Sequence, residues 1–215
     1  MRRRQLLGGA GIALTTATAG CLGFITGEQS LSFAAEPAVA AESTVGETDY
    51  ETEGPQARTQ TREFTVAGQT REVEVTNRIT TYQKTVDNPL FGEARLAVFA
   101  AISSPKVTVA GQTLNPVEDY SNEKLVSLLT SQYEGLDEPT RVDGRTVRTL
   151  GSDVELDKFE ATATVDGQEV DVYIHVGRTE HEDDFVIPMG MYPKRRESEE
   201  RPTVVSLTES LEHPA

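Results

Sequence analysis

The 215-residue chain has no tryptophan, a single cysteine, three histidines, and far fewer basic than acidic residues. Each scarcity excludes something. One cysteine cannot pair within the chain, so no disulfide framework holds the fold and stability must come from burial and hydrogen bonding. With 20 Lys and Arg against 35 Asp and Glu, the formal charge is −15. Phosphate backbones need a basic face, so nucleic acid is not an expected partner. No apolar run reaches the roughly 20 residues that a bilayer-spanning helix requires. Beyond residue 20 there is no Gly-x-Ser-x-Gly elbow, His-Glu-x-x-His helix or phosphate-cradling glycine loop, and no Asn-x-Ser/Thr sequon.

What is present starts at the amino terminus. Arg3 and Arg4 form a twin-arginine pair, followed by Gln5, Leu6 and Leu7 and a short, weakly apolar stretch from Gly8 to Ala19. A basic start, a short apolar middle and small residues before a processing point predict an export signal over residues 1–20. Thr18-Ala19-Gly20-Cys21 resembles a lipobox, with Thr18 where an aliphatic residue is usual. Cys21 is therefore the expected lipid-attachment residue, residues 21–30 a tether, and residues 31–215 a single α+β domain. Losing Arg2, Arg3 and Arg4 leaves 17 basic against 35 acidic residues, a formal −18. Such self-repulsion is tolerable near molar salt, where the Debye length falls to about 3 Å. An acidic chain with few lysines and much Thr and Val resembles haloarchaeal proteins.

Strand and hairpin signals dominate the rest. Thr65-Val66-Ala67-Gly68-Gln69-Thr70 recurs at Thr108-Val109-Ala110-Gly111-Gln112-Thr113, and more loosely at Thr164-Val165-Asp166-Gly167-Gln168-Glu169. Each puts an X-Gly pair between strand-like flanks and predicts a hairpin tip, strongest at Asp166-Gly167. Phe159, Ala161, Ala163 and Val165, then Val170, Val172, Ile174 and Val176, alternate with polar residues as in a sheet with one buried face. Val73, Val75 and Ile79 mark a long strand, and Leu96–Ile102 reads as a central strand covered on both faces. Phe185–Tyr192 is another strand, with Pro188 suggesting an edge or a bulge. Ser121 can cap a helix through Leu125, Leu128, Leu129 and Gln132, ended by Gly135. Pro202 suits the first turn of a final helix carrying Val204, Leu207 and Leu211, and Pro37–Val45 suggests a weaker third. The expected architecture is a mostly antiparallel sheet built from hairpins with two or three helices packed against it.

Ala19–Gly23, Leu31–Phe33, Val66–Gln69, Glu72–Asn77, Gly111–Pro116, Tyr133–Gly135, Asp171–Val176 and Asp183–Val186 together resemble an uncharacterised family of haloarchaeal lipoproteins, a domain of unknown function. The element order is also similar to the PsbP/Mog1/LpqN-like fold, which implies an antiparallel sheet with flanking helices. Neither likeness implies an activity, because fold does not supply one.

Candidate chemistry is sparse. Glu180-His181-Glu182-Asp183-Asp184 could hold a divalent cation if folded inward, but consecutive turn residues diverge and a solvated hairpin tip is the simpler reading. His175 could titrate in a groove or lie inert on a helix-covered sheet face. Ser121-Asn122-Glu123-Lys124 matches Ser-x-x-Lys without its companion motifs, and Ser121 is better used as a cap. Lys194, Arg195 and Arg196 before Glu197, Glu199 and Glu200 read as a charged loop. No catalytic residue, metal or cofactor is assigned. The expectation is a lipid-anchored protein on the extracytoplasmic face of the cell membrane, acting as a non-catalytic binding or accessory module through a groove between sheet and helix. An envelope hydrolase using scattered carboxylates and histidines, or a purely structural envelope protein, are the alternatives.

Overall fold

A computed structural model of the protein describes residues 31–66, 68–88, 92–109, 112–131, 135–165 and 167–215. Arg3, Arg4, Leu6, Leu7, Cys21 and the tether lie outside these residues, as do Ala67, Ala110, Gly111, Gln132–Glu134 and Asp166.

The fold is α+β. Among the described residues, nine strands form one mostly antiparallel sheet: β1 (Leu31–Ala34), β3 (Glu51–Val66), β4 (Gln69–Asn88), β5 (Gly92–Pro105), β8 (Thr140–Thr149), β9 (Ser152–Val165), β10 (Gln168–Val176), β11 (Thr179–His181) and β12 (Asp184–Pro193). Its order is β1-β4-β5-β12-β10-β9-β8, with β3 on the free edge of β4 and β11 beside β12. Short pairs join β2 (Val39–Ala40) to β13 (Leu211–Glu212) and β6 (Thr108–Val109) to β7 (Gln112–Thr113). Helices α1 (Glu42–Val45), α2 (Asn122–Thr130) and α3 (Glu197–Glu209) complete the layout.

The hairpin repeats pair as their sequence predicts. Val66 faces Gln69 and Val165 faces Gln168 across two-residue turns, with Gly68 at φ +78° and Gly167 at φ +76°. Glycine adopts that left-handed backbone without a Cβ clash. The β3–β4 hairpin is far longer than its apolar residues announce. Its β3 strand of 16 residues is exposed almost throughout, so no inward apolar stripe marks it. β1 runs parallel to β4, Leu31 opposite Val73, alongside the stretch of β4 that β5 does not reach.

The sheet has two covered faces. On one, Tyr82, Phe99, Tyr192, Val204 and Leu207 form a core beneath α3 and the segment from Ala38 to Tyr50. On the other, Phe159, Val172, Ile174 and Met189 pack beneath Leu125 and Val126 of α2. Ser121 caps α2 through its hydroxyl, which accepts from the Lys124 amide at 3.3 Å.

Several expectations need correction. β10 is buried on both faces, not one: Tyr173 and His175 lie under α3 while Val172 and Ile174 lie under α2. Conversely β5 is covered fully on one face only, because Val98 and Ile102 stay half-exposed on the other. Pro188 sits in a central strand rather than at an edge or bulge. It is tolerated because β12 changes partners there: β10 pairs up to Met189, β11 begins at Val186, and Pro188 only accepts, from the Gly177 amide at 3.1 Å. The last helix starts at Glu197, so Pro202 lies inside it, and Lys194–Arg196 is a 3-10 turn leading into it, not a loop. The early helix shrinks to Glu42–Val45, because residues 39–40 pair with β13 instead.

Candidate functional site

The α2-covered face is only partly roofed, and the open part forms a groove. β3 lies along one side, and α2 with Ser131 and Leu136 along the other. Two chambers of about 420 and 710 Å³ share Gln60, Asn77 and Ile102 as lining. The floor of the larger is apolar, from Ile79, Val98, Ala100, Met189 and Met191. The smaller is walled by Phe64, Val75, Val117, Tyr120 and Leu128. Alternation places Gln56, Arg58, Gln60 and Arg62 of β3 on the same side, so a polar rim stands over an apolar floor. This volume and lining match an ordinary small-ligand site, mostly apolar with a few placed polar groups.

The rim has a defined geometry. Arg58 stands directly across from Asn77, and Gln60 across from Val75. Arg62 Nη2 donates to Gln60 Oε1 at 2.8 Å, while Gln83 Nε2 donates to Glu53 Oε1 at 2.6 Å. Asn77 Oδ1 is buried without a hydrogen-bond partner among the described residues. Such an orphan acceptor costs free energy unless a ligand or water satisfies it. Neither Arg58 nor Arg62 has a carboxylate partner among the described residues. The pattern had no legible sequence signal, because these residues become neighbours only when β3 pairs with β4.

None of the histidines reaches the groove. His175 is buried under α3, its Nε2 2.8 Å from the Tyr192 hydroxyl and its Nδ1 without a partner among the described residues. Burial, reinforced by nearby Lys158 and Arg201, pushes its pKa down to about 4. Burial and then Glu197 push the Tyr192 hydroxyl up. His175 is therefore a neutral core residue that lines neither chamber of the groove.

His181 and His213 meet at the turn before β12, Nδ1 to Nδ1 at 3.1 Å, and His213 Nε2 lies 2.9 Å from Asp184 Oδ2. Asp184 also accepts from the Glu36 amide at 2.8 Å. His213 Nε2–H donates to Asp184, and the two imidazoles meet through their Nδ1 atoms. The chain Asp184–His213–His181 ends without a hydroxyl or thiol hydrogen-bonded to either ring among the described residues, so it clasps three segments together rather than activating a nucleophile. The acidic turn is used likewise. Lys106 Nζ lies 3.1 Å from Glu180 and donates to the Glu182 carbonyl at 2.9 Å. Among the described residues, no group of three or more His, Cys, Asp or Glu is placed to hold a metal ion.

Other charged residues serve the α3 face. Lys158 pairs with Glu197 at 2.8 Å and lies 4.4 Å from the Tyr173 ring centroid, while Lys194 pairs with Glu160. Buried Glu200 accepts from the Tyr50 hydroxyl at 2.9 Å and pairs with Lys84 at 3.2 Å. Burial pulls the Lys84 ammonium down, but hydrogen bonds to Asp49 and Glu200 outweigh it and hold its pKa raised. No helix among the described residues is long and apolar enough to cross a membrane.

No curated protein matches the chain. A family model described as a domain of unknown function, DUF6517, matches residues 37–212.

Proposed function

The chain belongs to the DUF6517 family, and from that premise we propose that it is a lipid-anchored binding module on the extracytoplasmic face of the cell membrane, held by Cys21 and working without catalysis. The observation that carries the reading is the groove between β3 and α2, with its apolar floor, polar rim and orphaned Asn77 acceptor. Among the described residues Glu53 is its one carboxylate and no histidine lines it, which favours binding over the paired acid and base of an envelope hydrolase. The twin-arginine pair, the lipobox-like residues and the acidic, lysine-poor composition support export, anchoring and a haloarchaeal setting.

Two measurements test it. Cys21→Ser should move the exported chain from the membrane fraction to the medium; continued membrane retention refutes the anchor. Chain purified from its native envelope in molar salt should carry an extra small-molecule mass in native mass spectrometry. That mass should be missing from Val98→Glu, which puts a charge on the groove floor. Identical spectra for the two refute the binding role.

A further inference from the structure

We propose that the groove takes a single anionic lipid from the membrane to which the chain is anchored, its hydrocarbon chain on the apolar floor and its head at Arg58, Asn77 and Arg62. This deepens the binding-module reading and rests on it.

Three independent observations converge. Ile79, Val98 and Met191 lie half-buried in a partly open chamber of about 710 Å³. Unbranched methionines adapt to a flexible chain. Next, the rim carries two guanidiniums without a counter-charge among the described residues. In a protein of formal charge −15, Arg58 and Arg62 keep no carboxylate partner among the described residues. Arg62 donates at 2.8 Å to Gln60, which stands between it and Arg58 on the same side of β3. Beside them the buried Asn77 Oδ1 lacks a donor. Guanidinium forks suit a phosphate, and an amide oxygen suits the hydroxyl of a glycerol-type head.

Lastly, the chain enters the fold beside the groove. Leu31, the first described residue, packs in one apolar cluster with Phe64 and Val75 of the smaller chamber. Nine residues lie between Cys21 and Leu31, and an extended chain spans at most about 35 Å over those ten Cα–Cα steps. A lipid-modified Cys21 would thus keep this end of the groove close to the bilayer. A second copy of this acidic chain would meet like charge, and an extended peptide would pair with the free edge of β3 instead.

The test uses the full chain carrying Cys21→Ser, in 1 M NaCl, by isothermal titration below the micelle threshold. Probes are a 14-carbon lysophosphatidylglycerol, the lysophosphatidylcholine of equal chain, and glycerophosphoglycerol as the head alone. The expected result is one-to-one binding of the anionic lysolipid, about tenfold weaker binding of the zwitterionic one, and none of the head. Replacing both arginines by Gln should cost the anionic probe about tenfold and the zwitterionic probe much less, so that the two lysolipids bind alike. Val98→Glu should abolish both, which also excludes binding by the amino-terminal segment. If its circular dichroism shows misfolding, Met191→Gln replaces it. Equal affinity for the two lysolipids, indifferent to the arginines, overturns the head assignment and leaves a groove that binds. Binding of the head alone with equal strength, or of no probe, overturns the lipid proposal, and the native-envelope comparison then decides the wider reading separately.

Discussion

Replacing Gly190 by Ala should destabilise the protein, and a second change on another element should repair it. Gly190 lies in β12 between Phe99 of β5 and His175 of β10, on the face that α3 covers. A Cβ built there would come within 2.6 Å of both γ-carbons of Val204 and 3.2 Å of its Cβ. Carbon pairs prefer about 3.5–4.0 Å, so α3 must retreat by roughly 1 Å or Val204 must leave its rotamer. Overpacking of this kind costs about 1–3 kcal/mol, and two hard contacts put Gly190→Ala near the upper end. Lower unfolded-state entropy returns about 0.5 kcal/mol. The net loss of about 2 kcal/mol corresponds to a Tm fall of roughly 4–8 °C for a chain of this size. Val204 is fully buried, so Val204→Ala alone should cost about 2.5 kcal/mol in lost methyl burial and cavity. Independent effects would sum to about 4.5 kcal/mol. The double variant should instead lose only about 2 kcal/mol, because the new methyl fills the space that valine vacated. Unfolding followed by circular dichroism at fixed molar salt reads all four proteins. An unchanged Tm for Gly190→Ala, or additive losses in the double variant, would refute the close approach of α3 to β12.

Two further outcomes follow from the buried polar groups. His175 has a folded pKa of about 4 against 6.5 unfolded, so the unfolded chain takes up a proton that the native state refuses. Its contribution is complete above pH 6.5 and is lost as pH falls toward 4, by about 3 kcal/mol. His175→Gln should flatten the stability-versus-pH curve in that window; an unaltered slope would show that His175 protonates freely in the fold. Asp184→Ala should cost about 2–4 kcal/mol by stranding the Glu36 amide and His213. Native-state hydrogen exchange should speed up at Glu36 and in the carboxy-terminal segment, and protection equal to wild type would remove Asp184 as their clasp.

Elements with strong periodicity or a turn signal were legible. The β9–β10 hairpin follows from alternating Phe159–Ala163 and Val170–Val176 around Gly167. The α2 helix follows from Ser121 and its leucines. Where the local signal was weak, partners decided. β3 exposes nearly every residue and holds Gly54 and Pro55, yet pairs with β4 over most of its length, with a bulge between Glu53 and Gln56. Pro202 reads as a helix start, but a helix whose Val204 and Leu207 are buried on the sheet continues through it. The prepared place for Pro188, opposite the gap between β10 and β11, is likewise invisible along the chain.

Local chemistry settles what depends on neighbours in the chain: an acidic composition, hairpin turns at the X-Gly pairs, and the α+β class that alternation and capping impose. The groove belongs to another level. Arg58, Asn77, Met191 and Leu128 lie far apart along the chain, and only strand register and the partial roof of α2 bring them to the two adjoining chambers of one groove. Burial of His175 likewise came from α3 lying across the second sheet face. Turn and periodicity preferences are set by a few adjacent residues, whereas a binding surface exists only once distant strands have paired and left one face incompletely covered.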